Sequence, residues 1–310
     1  MLSRVAERVY WTARYLERAE NTARLIDAYD KLMFDLPRAV NLSWYHLVNI
    51  NSADDFFEKR FKSKSEKNVI KFILSDKSNP NSIVSSIKMI RENLRTTRDV
   101  VPADIWKIIN ELNIFLEENI TQGVNRSKRF QFLDELIKRF QQIHGLIYGT
   151  MPHHSAWYFM RLGRNVERAD MITRQLDAGV SALLYTAKDE AAVNRKQIIW
   201  GSVLRALSAD QPYRRSTRSA VTGSEVVRYL IKDPDFPRTI THCYLSVEDS
   251  ASHLPRSEAV TKEIRKYQKH LSSPLNFDNL DERLRDYLND LQLHLASIHH
   301  AIQKNWFSNH

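Results

Sequence analysis

The residues of this chain best suited to chemistry are arginines and carboxylates at helical spacing. Arg14, Glu17, Arg18, Asn21 and Arg24 share one face of a helix at 100° per residue, and Arg164, Glu167, Arg168 and Arg174 repeat that stripe 150 residues later. Three readings are open for it. The first is a solvated face with i,i+4 ion pairs, each contributing tenths of a kcal/mol. The second is a buried reciprocal network, Glu17 with Arg168 and Arg18 with Glu167, in which Ala19 and Ala169 let the backbones approach. Such a network adds little net stability but is severely damaged when one partner is removed. The third is that spare guanidiniums bind an anionic ligand, because the planar fork of arginine engages carboxylate or phosphate bidentately.

A second basic stripe is a candidate anion-binding surface. Arg91, Arg95 and Arg98 follow an i, i+4, i+7 pattern on a helix predicted over 81–99, with Glu92 and Asn93 adjacent. A third group fits phosphate binding with aromatic stacking: Lys59, Arg60, Lys62, Lys64, Lys67 and Lys71 lie beside Phe56, Phe57, Phe61 and Phe72. An arginine-rich loop predicted over Ser208–Ser224 adds Tyr213, Arg214, Arg215 and Arg218. No known nucleic-acid-binding motif accompanies these residues.

Other chemistries lack their residues. Neither common nucleotide-binding glycine loop occurs, nor H-E-x-x-H, nor the Glu-x-x-His pairs of a di-iron bundle. His153-His154 and His299-His300 are adjacent pairs, which diverge by about 100° on a helix and chelate poorly. No metal and no cofactor is expected. Cys243 is the single cysteine, so no internal disulfide can form. It falls in an apolar-periodic helix predicted over 238–249 and reads as a small core residue. No Ser-His-Asp set or paired carboxylates stand out, so catalysis has no positive support.

The elements that must position these residues are helices. Gly is 7 and Pro is 9 of 310 residues, far below the usual roughly 7% and 5%. Scarce turn formers mean few reversals, which disfavours sandwiches, barrels and doubly wound sheets. A long first helix, capped by Ser3 with Glu7 in its first turn, runs toward Pro37. Further helices are predicted at about 40–60, 65–75, 81–99, 103–121 and 126–149, with Pro80 and Pro102 at helix starts and Gly123 and Gly149 near helix ends.

After Pro152 the chain begins again. Residues 14–27 align without gaps on 164–177, with six of 14 positions identical. Asp76-x-x-x-Pro80-x-x-Ile83 then matches Asp233-x-x-x-Pro237-x-x-Ile240, in the same order. The expected architecture is an all-α helical bundle built from an internal duplication, 1–150 and 151–310, packed as one domain with pseudo-twofold related long helices. On that alignment the counterparts of Arg91, Arg95 and Arg98 are Glu248, Ser252 and Pro255, so the second basic stripe belongs to the first half alone.

The formal charge of +9 points to acidic partners, nucleic acid or a membrane surface, without choosing among them. No run approaches 18 apolar residues, so no membrane-spanning helix is predicted. The N-terminus has no apolar leader pattern, and the expected location is the cytoplasm.

Arg14-Tyr-Leu-Glu-Arg-Ala-Glu-Asn-Thr-Ala-Arg and Leu162-Gly-Arg-Asn-Val-Glu-Arg-Ala-Asp resemble the paired signature of the bacterial alpha-E family. Ser3-Arg4-x-Ala6-Glu7, Tyr10-Trp11, Asp76-x-x-x-Pro80-x-Ser82-Ile83, Arg91-Glu92-Asn93 and Arg98-Asp99 before Trp106 extend the likeness over essentially the whole chain. Met171 departs from it, standing where the first copy has Asn21. The resemblance implies an all-helical protein found beside, or fused to, circularly permuted ATP-grasp proteins. Transglutaminase-like peptidases and a proteasome-like hydrolase are the other implied neighbours. It implies a setting in peptide synthesis, modification or turnover, and carries over no catalytic residue.

The leading expectation is therefore a non-catalytic accessory protein that binds an ATP-grasp peptide-ligase-type partner or the acidic peptide it handles. The alternatives are an enzyme of amide ligation or transfer, with Glu17 or Glu167 as general base, and a basic nucleic-acid-binding module.

Overall fold

The computed structural model describes residues 1–36, 42–184, 192–271, 277 and 279–307. Fourteen α-helices are found among them, and no strand. In chain order they are α1 (Ser3–Asp35), α2 (His46–Ile50), α3 (Asp54–Arg60), α4 (Glu66–Ser75), α5 (Ile83–Arg95), α6 (Ala103–Val124) and α7 (Arg126–Thr150). Then follow α8 (Ser155–Leu184), α9 (Ala192–Ala206), α10 (Asp210–Thr217), α11 (Gly223–Lys232), α12 (Ile240–Ser252), α13 (Glu258–Leu271) and α14 (Glu282–Ile302). A π-helical turn, Gln303–Phe307, closes the described chain.

The two longest helices, α1 and α8, pack along each other at the centre. Helices α5, α7 and α9 cover α1, and α12 and α14 cover α8. Outer helices α6 and α13 rest on α7 and α14. A helix enclosed on most sides must bury most of its circumference. Accordingly α1 buries Val9, Leu16, Ala19, Ala23 and Ile26, but also Thr12, Glu17, Glu20, Asn21 and Thr22. In α8, Leu162, Val166, Ala169, Ile172 and Leu176 are buried alongside Asn165, Glu167, Arg168, Thr173 and Gln175. The polar stripes therefore lie inside the bundle, which removes the solvated-face reading.

The two helices lie in close contact at Gly163. A Cβ there would lie 2.2 Å from the Tyr10 carbonyl oxygen, so a hydrogen is all the crossing accommodates.

Several expected boundaries shift for local reasons. Helix α1 is capped at Leu2, with no side-chain cap; Ser3 is already inside the helix, and Glu7 lies beyond the first turn. The region 40–60 is two short helices, interrupted where Ser52 takes a left-handed φ of 49°; its residues 40 and 41 lie outside the described chain. Helix α5 stops at Arg95 instead of 99, because Thr96 and Thr97 both donate their hydroxyls to the Asn93 carbonyl and compete with the next turn. The segment expected to be an arginine-rich loop contains α10, which has Asp210 in its first turn and Arg214 and Arg215 in its last, complementing the helix dipole. Pro102 caps α6, whereas Pro80 precedes the cap of α5, Ser82, whose hydroxyl accepts from the Ser85 N–H. No described helix is long and apolar enough to cross a membrane.

Candidate functional site

The Glu-Arg stripes of α1 and α8 meet face to face. Arg168 donates from Nε and Nη2 to the two carboxylate oxygens of Glu17, both at 2.7 Å. In the opposite sense Arg18 donates from Nε to Glu167 Oε1 at 2.5 Å and from Nη2 to Oε2 at 3.0 Å. Arg14 adds a third bond to Glu167, from Nε to Oε2 at 2.7 Å. Each carboxylate is thus clamped bidentately by the arginine of the other helix. Glu17 is 0% and Glu167 1% exposed.

Neighbouring residues close the network. Asn21 donates to Glu17 Oε1, and Arg24 donates to Glu20 Oε1 and to the Ser208 hydroxyl. Arg174 pairs with Asp170 one turn back and reaches the Ser52 hydroxyl. Met171, in place of an asparagine, is simply buried.

Besides the acids Glu20 and Asp170, three participants were not singled out in the sequence. Arg238 donates to Glu17 Oε1 at 3.2 Å, Asn21 Oδ1 at 2.8 Å and Glu20 Oε1 at 2.9 Å. Asn81 accepts from Arg18 Nη1 at 2.7 Å. His144, on α7, places Nε2 2.9 Å from Glu20 Oε2. A signal for the first two was present: each directly follows the proline of the matched Asp-x-x-x-Pro segments, Pro80-Asn81 and Pro237-Arg238. His144 had no such mark.

Arg164 stands apart from its neighbours. It has no hydrogen-bond or ion-pair partner among the described residues, and its guanidinium lies 4.3 Å from the centre of the Tyr148 ring.

The other sequence candidates do not converge. Arg91 donates to Asn110, Arg95 makes an exposed contact with Glu92, and Arg98 lies past the end of α5, over the Trp106 ring. Phe57 and Phe72 are fully buried and pack with Phe61, so of that aromatic group only Phe56 is exposed. Tyr213 is buried and donates to the Ala220 carbonyl. Of the stacking partners that a nucleic-acid reading needs, Phe57, Phe72 and Tyr213 are therefore core residues, while Phe56 stays exposed and Phe61 half-buried. His153 stacks on Trp157, and His299 stacks on Tyr10 while bonding its hydroxyl.

A family profile described as "A predicted alpha-helical domain with a conserved ER motif" matches residues 1–307. The chain belongs to the Alpha-E family. Glu17-Arg18 and Glu167-Arg168 carry that residue pair into the centre of this Alpha-E fold. The chain is also similar to uncharacterized proteins of Mycobacterium bovis and of two Mycobacterium tuberculosis strains, at 21% identity over 277 residues. The match covers 84% of this chain and spans about 30% of the length of those relatives. No solved structure matches the chain.

The electrostatics of the Alpha-E centre follow from its pairing. Burial alone would raise the carboxyl pKa of Glu17 and Glu167, but the guanidiniums facing them hold both down at about 2. Burial would likewise lower Arg168, yet Glu17 pulls it above its ordinary value. These groups are fixed charges across the whole physiological range. A carboxylate so strongly stabilised as an anion is a poor general base.

Among the described residues one three-ligand group lies close enough for a metal ion, Glu17, Glu20 and His144, with ligand atoms within 4.8 Å of one another. Its oxygens already accept from Arg24, Arg168 and Arg238. A dication there would sit among three guanidiniums, so the residues do not fit one.

Proposed function

We propose that this Alpha-E chain is a non-catalytic helical accessory module, built from two related halves, about 1–150 and 151–310. In this reading it acts with an ATP-grasp peptide-ligase-type protein in peptide synthesis, modification or turnover. A transglutaminase-like peptidase or proteasome-like hydrolase belongs to the same setting. The observation that carries the non-catalytic reading is the state of the central carboxylates: Glu17 and Glu167 are buried and doubly clamped, so neither is poised to move a proton. The same network serves well to fix the relative position of the two long helices, and with it the outer surface offered to a partner.

The two-halves reading draws support from matching details. Helices α4 and α11, and α5 and α12, are displaced by 157 residues at both ends. Ser82 caps α5 and Thr239 caps α12, each accepting from the backbone N–H three residues on. Asp76 and Asp233 each accept from the N–H two residues on. The mycobacterial relatives, about three times as long as the matched region, support a module that works joined to other parts.

The test is co-purification of the native protein with a circularly permuted ATP-grasp protein, followed by assay of that partner's ATP turnover with and without the Alpha-E chain. A complex with altered turnover is expected. Product formation by the isolated chain, abolished in a folded Glu17→Gln variant, overturns the reading and makes the protein an enzyme.

A further inference from the structure

Helix α1 is packed against α5, α7, α8 and α9, yet one stripe of its first half stays open. Arg4, Arg8, Trp11, Tyr15 and Arg18 fall within about 80° of one another at 100° per residue. Arg4 is exposed, and Arg8, Trp11 and Tyr15 are half-buried. The rings of Trp11 and Tyr15 stack with centres 5.5 Å apart, and His299 meets Trp11 edge-on at 5.2 Å. Arg14 lies 5.0 Å over the Trp11 ring and Arg18 5.8 Å over the Tyr15 ring.

The polar groups of this stripe are donors in excess. Among the described residues the Arg4 and Arg8 guanidiniums have no ion-pair or hydrogen-bond partner, and the Trp11 indole N–H and Tyr15 hydroxyl have no hydrogen-bond partner. One carboxylate, Glu167, serves both Arg14 and Arg18, and Glu7 is Arg8's neighbour in the chain. Four guanidiniums thus stand against two carboxylates. Indole and guanidinium groups donate and do not accept, so the stripe calls for acceptors carrying negative charge. The matching positions on α8, 150 residues on, are answered from within: Tyr158 stacks on His253, Arg161 pairs with Asp249, and Asn165 is buried.

We propose that this stripe of α1 is a docking surface for an acidic polypeptide segment, with side-chain carboxylates on Arg4 and Arg8 and the rest of the segment over Trp11 and Tyr15. Arginine forks engage carboxylates bidentately, and Trp, Tyr and Arg are the residues that dominate binding energy at protein interfaces. Base stacking needs an open ring face. Each of these two rings already has the other ring and a guanidinium lying against it, which leaves a base little to stack on. A second copy of this basic chain would bring like charges together. The mycobacterial relatives carry further chain outside the matched region, which supports a polypeptide as occupant. That the segment belongs to a working partner rests on the accessory reading above; the surface itself does not.

The experiment uses the purified full chain and three fluorescein-labelled probes: octaglutamate, octaglutamine and octathymidylate. Binding is read by fluorescence anisotropy at low salt. Octaglutamate is expected to bind, octaglutamine not to bind, and octathymidylate to bind more weakly than octaglutamate. Arg4→Glu combined with Arg8→Glu is expected to weaken octaglutamate binding at least about tenfold. Lys67→Glu combined with Lys71→Glu makes the same change of net charge on exposed residues of α4, and is expected to leave binding within about twofold. Equal or larger losses from the α4 variant, equal or tighter binding of octathymidylate, or no binding of octaglutamate overturns the proposal. So does a dimer that the Arg4 and Arg8 changes dissociate, which makes a second copy the occupant. Arg4→Glu alone, at an exposed position and expected to cost at least about threefold, decides if the double variant fails to fold. Because no partner protein enters this assay, its failure is distinct from failure of the co-purification that tests the accessory function.

Discussion

Arg168 grips Glu17 through two parallel hydrogen bonds of 2.7 Å although 151 residues of chain separate them. Arg18 and Glu167 repeat the clamp in the opposite sense. Two such pairs tie α1 to α8 in one register, since sliding either helix by a turn would leave four charges buried without partners. That cost gives the arrangement its specificity more than its stability.

Truncating one side of the clamp should therefore be worse than removing both. Arg168→Ala leaves Glu17 ionised, buried and held only by Arg238 and Asn21, and is expected to cost about 3–5 kcal/mol in urea unfolding. Glu17→Met combined with Arg168→Met should recover much of that loss. A double variant less stable than Arg168→Ala would mean that the pair contributes by attraction alone.

Acid should weaken the fold in two steps. His299 is pushed down from an ordinary 6.5 to about 4 by burial and then by Arg14, so the unfolded chain takes that proton first as pH falls from 6.5 to 4. Glu17 and Glu167 drop from an ordinary 4.5 to about 2, so their contribution, on the order of a few kcal/mol each, is present above pH 4.5 and lost between 4.5 and 2. Urea midpoints measured from pH 7 to pH 2 should show both slopes. His299→Gln should reduce the first, to which His46, also held down by burial, contributes, and leave the second.

Gly163→Ala tests the helix crossing. The added Cβ would lie 2.2 Å from a backbone oxygen that cannot rotate away, so α1 and α8 must separate. The expected cost is about 1–3 kcal/mol or more, well above the gain from alanine's better helix propensity. Unchanged stability in thermal unfolding would mean that the two backbones are further apart than described.

Cys243 should resist thiol reagents in the native protein. It is fully buried, and burial pushes its thiol up to about 12. Labelling with a maleimide or iodoacetamide should proceed only as fast as the surrounding α12 opens, and should become immediate in denaturant. Fast labelling under native conditions would show that this part of the core opens readily.

Much of this was legible in the sequence because helices are local. A scarcity of Gly and Pro and a period of 3.6 residues suffice to place α1, α4, α6 and α7 within a few residues. The boundaries that moved, at Ser3, Ser52 and Thr96, depend on which side chain captures a backbone group, a competition settled within one turn. The Glu-Arg repeat drew attention to these charged residues but left a solvated face, a buried network and an anion site all open.

What the sequence by itself determined is the all-helical class, the two long helices and the charged stripes they carry, not which way those stripes face. Only the tertiary structure decided who pairs with whom. The crossing of α1 and α8 at Gly163 sets the register in which Glu17 meets Arg168. Arg238, from the α11–α12 turn, bonds Glu17 beside Arg168, while Arg164 lies over the Tyr148 ring. Likewise, the turn after α5 takes Arg98 off the face that Arg91 and Arg95 share, and packing draws Phe57, Phe72 and Tyr213 into the core. Periodicity fixes a residue's angle about its own helix axis. It carries no information on the distance and tilt of the next helix, and an ion pair exists only within about 4 Å.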